Sequence, residues 1–266
     1  MQLPYLTGRM RETFDAWLEA AYARYLPPLT FTELRKGVQA LSTLYVERRS
    51  EGALATRAIE GVGKRGALAT YYAALHFLTV HHAMRMVGKD ALAGTRRVVD
   101  LGCGTGAVGT AVATTLAETP EVTGLDRSGW ALEEAERTWL AFGLRGRTQR
   151  SELPAGIPRG ARGVTFVFGW SLSEMDDVAR TILLRRVIGE LRRGARVMVV
   201  EPLARRVTPW WPEWVEKLGH LGVADELIRV AIERPPFIRD MDKAARLDHQ
   251  VIGARVLVGG RRPADP

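Results

Sequence analysis

Asp100, Gly102, Gly104 and Gly106 stand at alternate positions in this 266-residue chain, and a second acid, Asp126, follows 20 residues after Gly106. Glycines so spaced let the main chain turn with positive φ, and they let a ligand lie against the backbone where a Cβ would otherwise stand. A carboxylate at the place of Asp126 can accept hydrogen bonds from both hydroxyls of a ribose. The chemistry these residues suit is the holding of a nucleotide-like ligand.

The elements that must position them are legible on either side. Val98 and Val99 run into Asp100 as a strand, and Ala107, Val108, Ala111, Val112 and Ala113 follow the glycines with helical spacing. Strand, tight turn and helix succeed one another, and the helix aims its unpaired N–H groups at the ligand. Val122 to Asp126 is the next strand. The hexapeptide from Gly102 to Ala107 also satisfies the dinucleotide pattern G-x-G-x-x-G/A, so a nicotinamide cofactor is the competing ligand. The acid two residues before the first glycine separates the two classes, because Asp-Leu-Gly-Cys-Gly-Thr-Gly resembles motif I of the class I methyltransferases that use S-adenosylmethionine.

That resemblance implies a set of roles. Asp100, Gly102, Cys103, Gly104 and Gly106 would hold the methionine end and ribose, Asp126 the ribose hydroxyls, and Gly169 with Trp170 the adenine or the acceptor wall. Related enzymes often place an acid after the third strand to hold the adenine amino group. Here Gln149, Arg150 and Ser151 occupy that place, and Gln149 is the expected acceptor. If the methyl acceptor carries a proton, a base is needed, and His76, His82 and Glu174 are the candidates. Substrate contacts are expected from Tyr72, Ser171 and Trp210. No N/D-P-P-Y/F signature ends the fourth strand, which counts against the amino-group methylases that use it.

The rest of the chain alternates strand and helix, the pattern of an α/β, doubly wound, Rossmann-like sheet of seven strands with an N-terminal helical addition. Ser128 caps a helix with Trp130, Leu132, Ala135, Trp139 and Leu140 inward and Glu133, Glu134 and Glu136 outward. The third strand lies near Arg147 to Arg150 and the apolar run Val164 to Phe168 is a central strand. A helix opened by Asp176 or Asp177 turns Ile182, Leu183, Val187 and Leu191 inward and its arginines, Arg180 among them, outward. Arg196 to Pro202 is the fifth strand, and Leu227 to Ile232 and Val251 to Val258 are the last two. Trp210, Trp211 and Trp214 either line an acceptor pocket or plug the gap between helix and sheet.

Residues 1–94 read as the helical addition and 95–266 as the core. A first helix spans 9–25. Thr30 and Glu33 form a capping box for a second, whose stripe is Leu34, Val38, Leu41, Leu44 and Tyr45. After a link spotted with Gly61, Gly63 and Gly66, a third helix from Leu68 to Val87 puts Tyr72, His76 and Thr79 on one face. His81 and His82 point about 100° apart on that helix and cannot form a single-face metal pair.

Composition narrows the class. The longest apolar stretch, Ala67 to Val80, is too short to span a bilayer, and no charged leader precedes an apolar run, so a cytoplasmic protein is expected. One cysteine excludes an internal disulfide framework and a cysteine-based metal site; Cys103 is expected to pack inside the turn. Net charge is +8, distributed as +4 over residues 1–94, −3 over 95–144, +7 over 145–206 and 0 thereafter. The +7 segment suits a polyanion such as RNA, although only 5 of 38 cationic residues are lysine, the bias a GC-rich genome also gives.

A narrower resemblance accords with RNA. Leu34 to Tyr45, Leu68 to Ala74, Ser171 to Met175 and Val200-Glu201-Pro202 look, in that order, like segments of the methyltransferase-like proteins of the small ribosomal subunit. Members of that family commonly carry an iron-sulfur cysteine cluster, which this chain lacks. Three readings follow: an RNA- or ribosome-directed methyltransferase, a small-molecule methyltransferase with a helical lid, and a non-catalytic ribosome-assembly factor.

Overall fold

The computed structural model describes residues 2–47, 60–87 and 89–260. The chain opens with helices α1 (Gly8–Tyr25) and α2 (Phe31–Glu47), then a continuous helical run made of α3 (Val62–Ala67), a π-helical turn (Leu68–Tyr72) and α4 (Ala73–Val87). The capping box holds: Glu33 Oε2 accepts from the Thr30 N–H at 2.8 Å and Thr30 Oγ1 from the Glu33 N–H at 3.2 Å. Gly63 and Gly66, read as a link, lie inside α3. The reason is a close crossing of helices, since a Cβ on Gly37 of α2 would stand 2.2 Å from the Gly63 carbonyl oxygen. The side chain of Tyr45 and the stretch 48–59 lie outside the described residues.

Seven strands follow, β1 (Arg97–Leu101), β2 (Glu121–Asp126), β3 (Gly146–Arg150), β4 (Val164–Gly169), β5 (Arg196–Glu201), β6 (Val223–Ala231) and β7 (Val251–Gly259). They form one sheet in the order β3-β2-β1-β4-β5-β7-β6, the first five parallel and β7 antiparallel between β5 and β6. The order reverses between β1 and β4, which places a crevice at their carboxyl ends. Helices α5 (Ala107–Thr115), α6 (Gly129–Ala141), α7 (Asp177–Arg192), α8 (Trp211–Gly219) and α9 (Pro236–Ala245) complete the layers. This is the expected α/β Rossmann-like methyltransferase sheet with N-terminal helices. No described helix is long and apolar enough to cross a membrane.

Both faces of the sheet are covered. On one, α1 to α6 and α9 share a single apolar cluster with β1, β6 and β7, so the N-terminal helices are packed into the core. On the other, α7 and α8 pack with Phe168, Trp210, Trp211 and Trp214. Trp211 and Trp214 are buried to within 1% of their surface and Trp210 to 9%, with Trp210 5.6 and 5.4 Å from the other two rings. The tryptophans plug the gap between helix and sheet. Trp210 is not in either cavity described below, and its expected substrate role is corrected.

Two helix faces are rotated from expectation. In α6, Leu140 is 81% exposed while Glu134 is 3% exposed; in α7, Ile182 is exposed and Leu184 takes its inward place, with Arg180 buried beside it. Glu134 is buried because it is paired. Its carboxylate accepts from Arg24 at 2.7 Å, from the Tyr25 hydroxyl at 3.2 Å and from Arg137 at 2.9 Å, and so ties α1 to α6. Tyr25 in turn accepts from Trp130 Nε1 at 2.9 Å. Glu134→Ala removes the acceptor of all three donors, each of them only partly buried, and is expected to cost roughly 1–3 kcal/mol. Urea unfolding measures it; an unchanged midpoint would show that the tie contributes nothing.

Candidate cofactor cleft and acceptor cavity

β1 ends in the turn that the glycine spacing announced. Gly102, Gly104 and Gly106 have φ of 71°, 51° and 74°, and the N–H groups of Gly102 and Cys103 both donate to the Leu125 carbonyl, at 2.8 and 3.0 Å. The turn is thereby locked onto the end of β2. Asp126, the last residue of β2, accepts from the Gly104 N–H at 3.0 Å through one oxygen and from the Ser128 N–H at 2.9 Å through the other. Each carboxylate oxygen keeps a lone pair for a further donor. Ser128 Oγ caps α6 by accepting from the Ala131 N–H.

Around the turn lies a cleft of about 250 Å³. Gly102, Cys103, Gly104, Asp126, Gly169, Trp170, Ser171, His76 and Glu174 line it, as do Glu152 and Arg127. Gly106, Asp100, Gln149, Tyr72 and Trp210 do not. Gly106 serves packing, because a Cβ there would stand 2.9 Å from Ala135 Cα. Gln149 is exposed on the outer strand β3 and does not line the cleft; the acid that does, beyond that strand, is Glu152, three residues further on.

Asp100 sits under the turn, 1% exposed. Its Oδ2 accepts from the Gly109 N–H of α5 at 2.9 Å, while its buried Oδ1 has no partner among the described residues. Burial pushes its pKa up to about 7; the Gly109 N–H opposes the rise and the charge of Asp126 adds to it. Ser171 Oγ, close beside Gly102, is likewise buried without a partner. Burial, then the charges of Asp100 and Asp126, raise the Cys103 thiol, which stays protonated in the wall.

The loop from Trp170 to Met175 forms the opposite lip. Glu201, fully buried at the end of β5, accepts from the Leu172 and Ser173 N–H groups at 3.0 and 3.3 Å and from the Ser173 hydroxyl. Arg180 donates to the carbonyls of Leu172 and Met175, both at 2.7 Å, which is why it turns inward. Of the two acids expected to open α7, Asp176 caps it, accepting from the Ala179 N–H at 2.7 Å. Trp170 adopts φ 55°, costly for a residue with a Cβ, and its ring stacks on His76 at 4.0 Å and 10°. This stacked pair joins the N-terminal helices to the cleft.

Behind the pair lies a second cavity of about 380 Å³, bounded by Tyr72, Leu75, Thr79, Leu203, Ile252 and His249 among others. Tyr72, His76 and Thr79 do share a face, and it is turned to this cavity. His76, Trp170 and Glu174 border both spaces. His82 borders neither: its Nε2 lies 2.9 Å from the Tyr5 carbonyl, and burial lowers its pKa. It is a packing residue, as is His81, stacked on Phe77.

Cleft and lining test the ligand class. Asp126, Glu152, Glu174 and Asp176 face the cleft against the single cation Arg127 among its described lining residues. An acidic surround repels a pyrophosphate and attracts a cation. The partnerless Ser171 hydroxyl in the cleft wall suits an ammonium group, and the two oxygens of Asp126 suit ribose hydroxyls. A sulfonium nucleoside with an amino-acid tail fits these residues; a dinucleotide does not.

Comparison with known proteins agrees. Residues 84–161 match the family model of the methyltransferase small domain. The fold is that of the class I, S-adenosylmethionine-dependent methyltransferases, and the matched segment spans less than a third of the chain. Among solved structures, an O-methyltransferase family protein from Burkholderia thailandensis superposes with a TM-score of 0.53 at 16% identity, covering 79% of this chain and 63% of that one. The mitomycin 7-O-methyltransferase MmcR superposes with a TM-score of 0.52 at 16% identity, over 95% of this chain and 76% of that one. No curated protein sequence matches.

The raised pKa of Asp100 has a measurable consequence. Its ordinary value is 3.8 and its folded value about 7, so the folded state holds a proton that the unfolded state has lost across that interval. The stability this contributes is full below pH 4 and is lost as pH rises through 7, on the order of 4 kcal/mol. Asp100→Asn keeps the bond from Gly109 and never ionises. The variant is expected to be more stable than the parent at pH 8 by a few kcal/mol, with a flatter pH dependence, in thermal melts at a series of pH values. Equal stabilities at pH 8 would place the Asp100 pKa in the ordinary range.

Proposed function

We propose that this chain transfers a methyl group from S-adenosylmethionine to a small molecule seated in the cavity behind His76 and Trp170. The observation that carries the reading is the shared wall: His76, Trp170 and Glu174 border both the cleft and the cavity, so a donor in one and an acceptor in the other meet there. When bound, S-adenosylmethionine supplies an electrophilic methyl group and its own leaving group. What remains for the protein is orientation and the exclusion of water. Asp126, Ser171 and Glu152 hold and orient the donor, Asp100 braces the turn from beneath through the Gly109 N–H, and Glu201 and Arg180 keep the loop from Trp170 to Met175 rigid. The π-helical turn and α4 act as a roof, the turn presenting Tyr72 and α4 presenting Leu75 and Thr79 to the acceptor.

A small acceptor is favoured over RNA by where the charges stand. None of the described residues lining the cavity is Lys or Arg. A separate depression at the amino-terminal ends of β1 to β4 gathers Arg96, Arg97, Arg145 and Arg162, with Glu118 and Glu121 among them. That is the edge of the sheet opposite the cleft, and a polyanion held there would not reach the wall where methyl transfer is proposed. Likeness to two O-methyltransferase folds accords with this reading.

Filling the cavity tests it. Leu75→Trp is expected to lower methyl transfer to a panel of hydroxylated aromatic acceptors at least tenfold while leaving affinity for S-adenosylhomocysteine within about twofold, after overpacking costs of roughly 1–3 kcal/mol. Transfer of tritiated methyl groups reads the first quantity and calorimetry the second. Undiminished transfer in the variant, or transfer to RNA and to none of the small acceptors, would refute the placement.

A further inference from the structure

One side chain in the wall of the cavity is held as a base is held. His249 lies in the connection between α9 and β7, its side chain 31% exposed. Its Nδ1 lies 2.8 Å from Asp242 Oδ1 and its backbone N–H donates to Asp242 Oδ2 at 3.2 Å. Asp242, on α9, is completely buried. It also accepts from Arg234 at 2.8 Å and from the Tyr71 hydroxyl. Tyr71 belongs to the π-helical turn, and its hydroxyl lies 3.0 Å from Nδ1, with the two rings edge to face at 5.8 Å and 79°. The turn thus places neighbouring tyrosines in different jobs, Tyr71 under the histidine and Tyr72 in the cavity wall.

The network decides the tautomer. Burial alone would raise the Asp242 pKa, but hydrogen bonds from His249, Tyr71 and Arg234 hold it down at about 2. An ionised carboxylate only accepts, so the proton of neutral His249 resides on Nδ1 and the lone pair on Nε2. A carboxylate that fixes a histidine in this way serves to orient a proton acceptor.

We propose that Nε2 of His249 is the general base for the acceptor and that the acceptor is accordingly a phenol-like hydroxyl on a planar ring. This inference rests on the placement of the acceptor in the cavity argued above. As the oxygen–methyl bond forms and the carbon–sulfur bond breaks with its electron pair remaining on sulfur, the hydroxyl proton passes to Nε2. An imidazole removes the proton of a phenol, whose pKa is about 10, far more readily than that of an alkyl alcohol. The Tyr72 and Trp170 rings and the aliphatic walls of Leu75, Leu203 and Ile252 suit a flat apolar ring. Asp242 is the positioning residue: it touches the histidine and not the substrate.

A chromogenic phenol reads the proton directly, without turnover. With S-adenosylhomocysteine present, 4-nitrophenol titrated with protein one pH unit below its own pKa is expected to show the visible nitrophenolate band, with a phenolate-to-phenol ratio about tenfold above that of the free probe. His249→Gln, on a partly exposed loop, should bind the probe and leave it neutral, and Asp242→Asn, if folded by circular dichroism, should reduce the band. Probe bound but neutral to the wild-type protein, or ionised as fully by His249→Gln, would overturn the base and leave the acceptor placement standing. A band lost in His76→Gln but kept in His249→Gln would overturn it as well. No probe binding, alongside normal binding of S-adenosylhomocysteine, would instead overturn the acceptor placement and this inference with it.

Discussion

The hold of β2 on the turn after β1 is the constraint from which the rest follows. One carbonyl, that of Leu125, takes two N–H groups of the turn, and one carboxylate, that of Asp126, takes a third. The backbone of the turn is therefore satisfied from one side, and its other side is free to face a ligand. Beneath the turn, burial first and the neighbouring Asp126 last raise the pKa of Asp100, so a carboxyl group sits where its charged form is disfavoured.

The other lip is built by a different device, a buried carboxylate that pins a loop. Glu201 and Arg180 tie the segment after β4 from beneath, and the strained Trp170 at its start stacks on His76 of α4. The N-terminal helices are coupled to the cleft through that contact and through the Glu134 cluster between α1 and α6. The π-helical turn between α3 and α4 contributes a further effect. By changing the angle between successive side chains, it lets one helix both roof the cavity and reach down to Asp242.

Much of this was legible in the amino-acid sequence, for identifiable reasons. The strands of the core read correctly because β-branched runs ending in glycine or acid have few alternatives, and the caps at Ser128 and Thr30 because a capping side chain has a fixed offset from its acceptor. Helix faces were less legible where polar groups are buried. Glu134 and Asp242 look solvated by type and are inside because distant partners satisfy them, and periodicity carries no information about partners more than a hundred residues away; Arg180 is inside because the loop just before its helix offers it two carbonyls. The same holds for His249, which the sequence places in a connector and the fold places against a cavity. Gln149 illustrates a smaller failure: the strand end was placed correctly, but the chain bends after it and brings Glu152 to the cleft instead.

The ligand of the glycine turn is the point on which everything else depends. Calorimetric titration of S-adenosylhomocysteine into the wild-type protein and into Asp126→Asn tests it most directly, because the neutral amide keeps an acceptor for the turn while losing much of its pull on ribose hydroxyls. Binding on the order of 1–100 μM in the wild type and at least tenfold weaker in the variant is the predicted result. No heat of binding in the wild type, or the same affinity in both proteins, would contradict it.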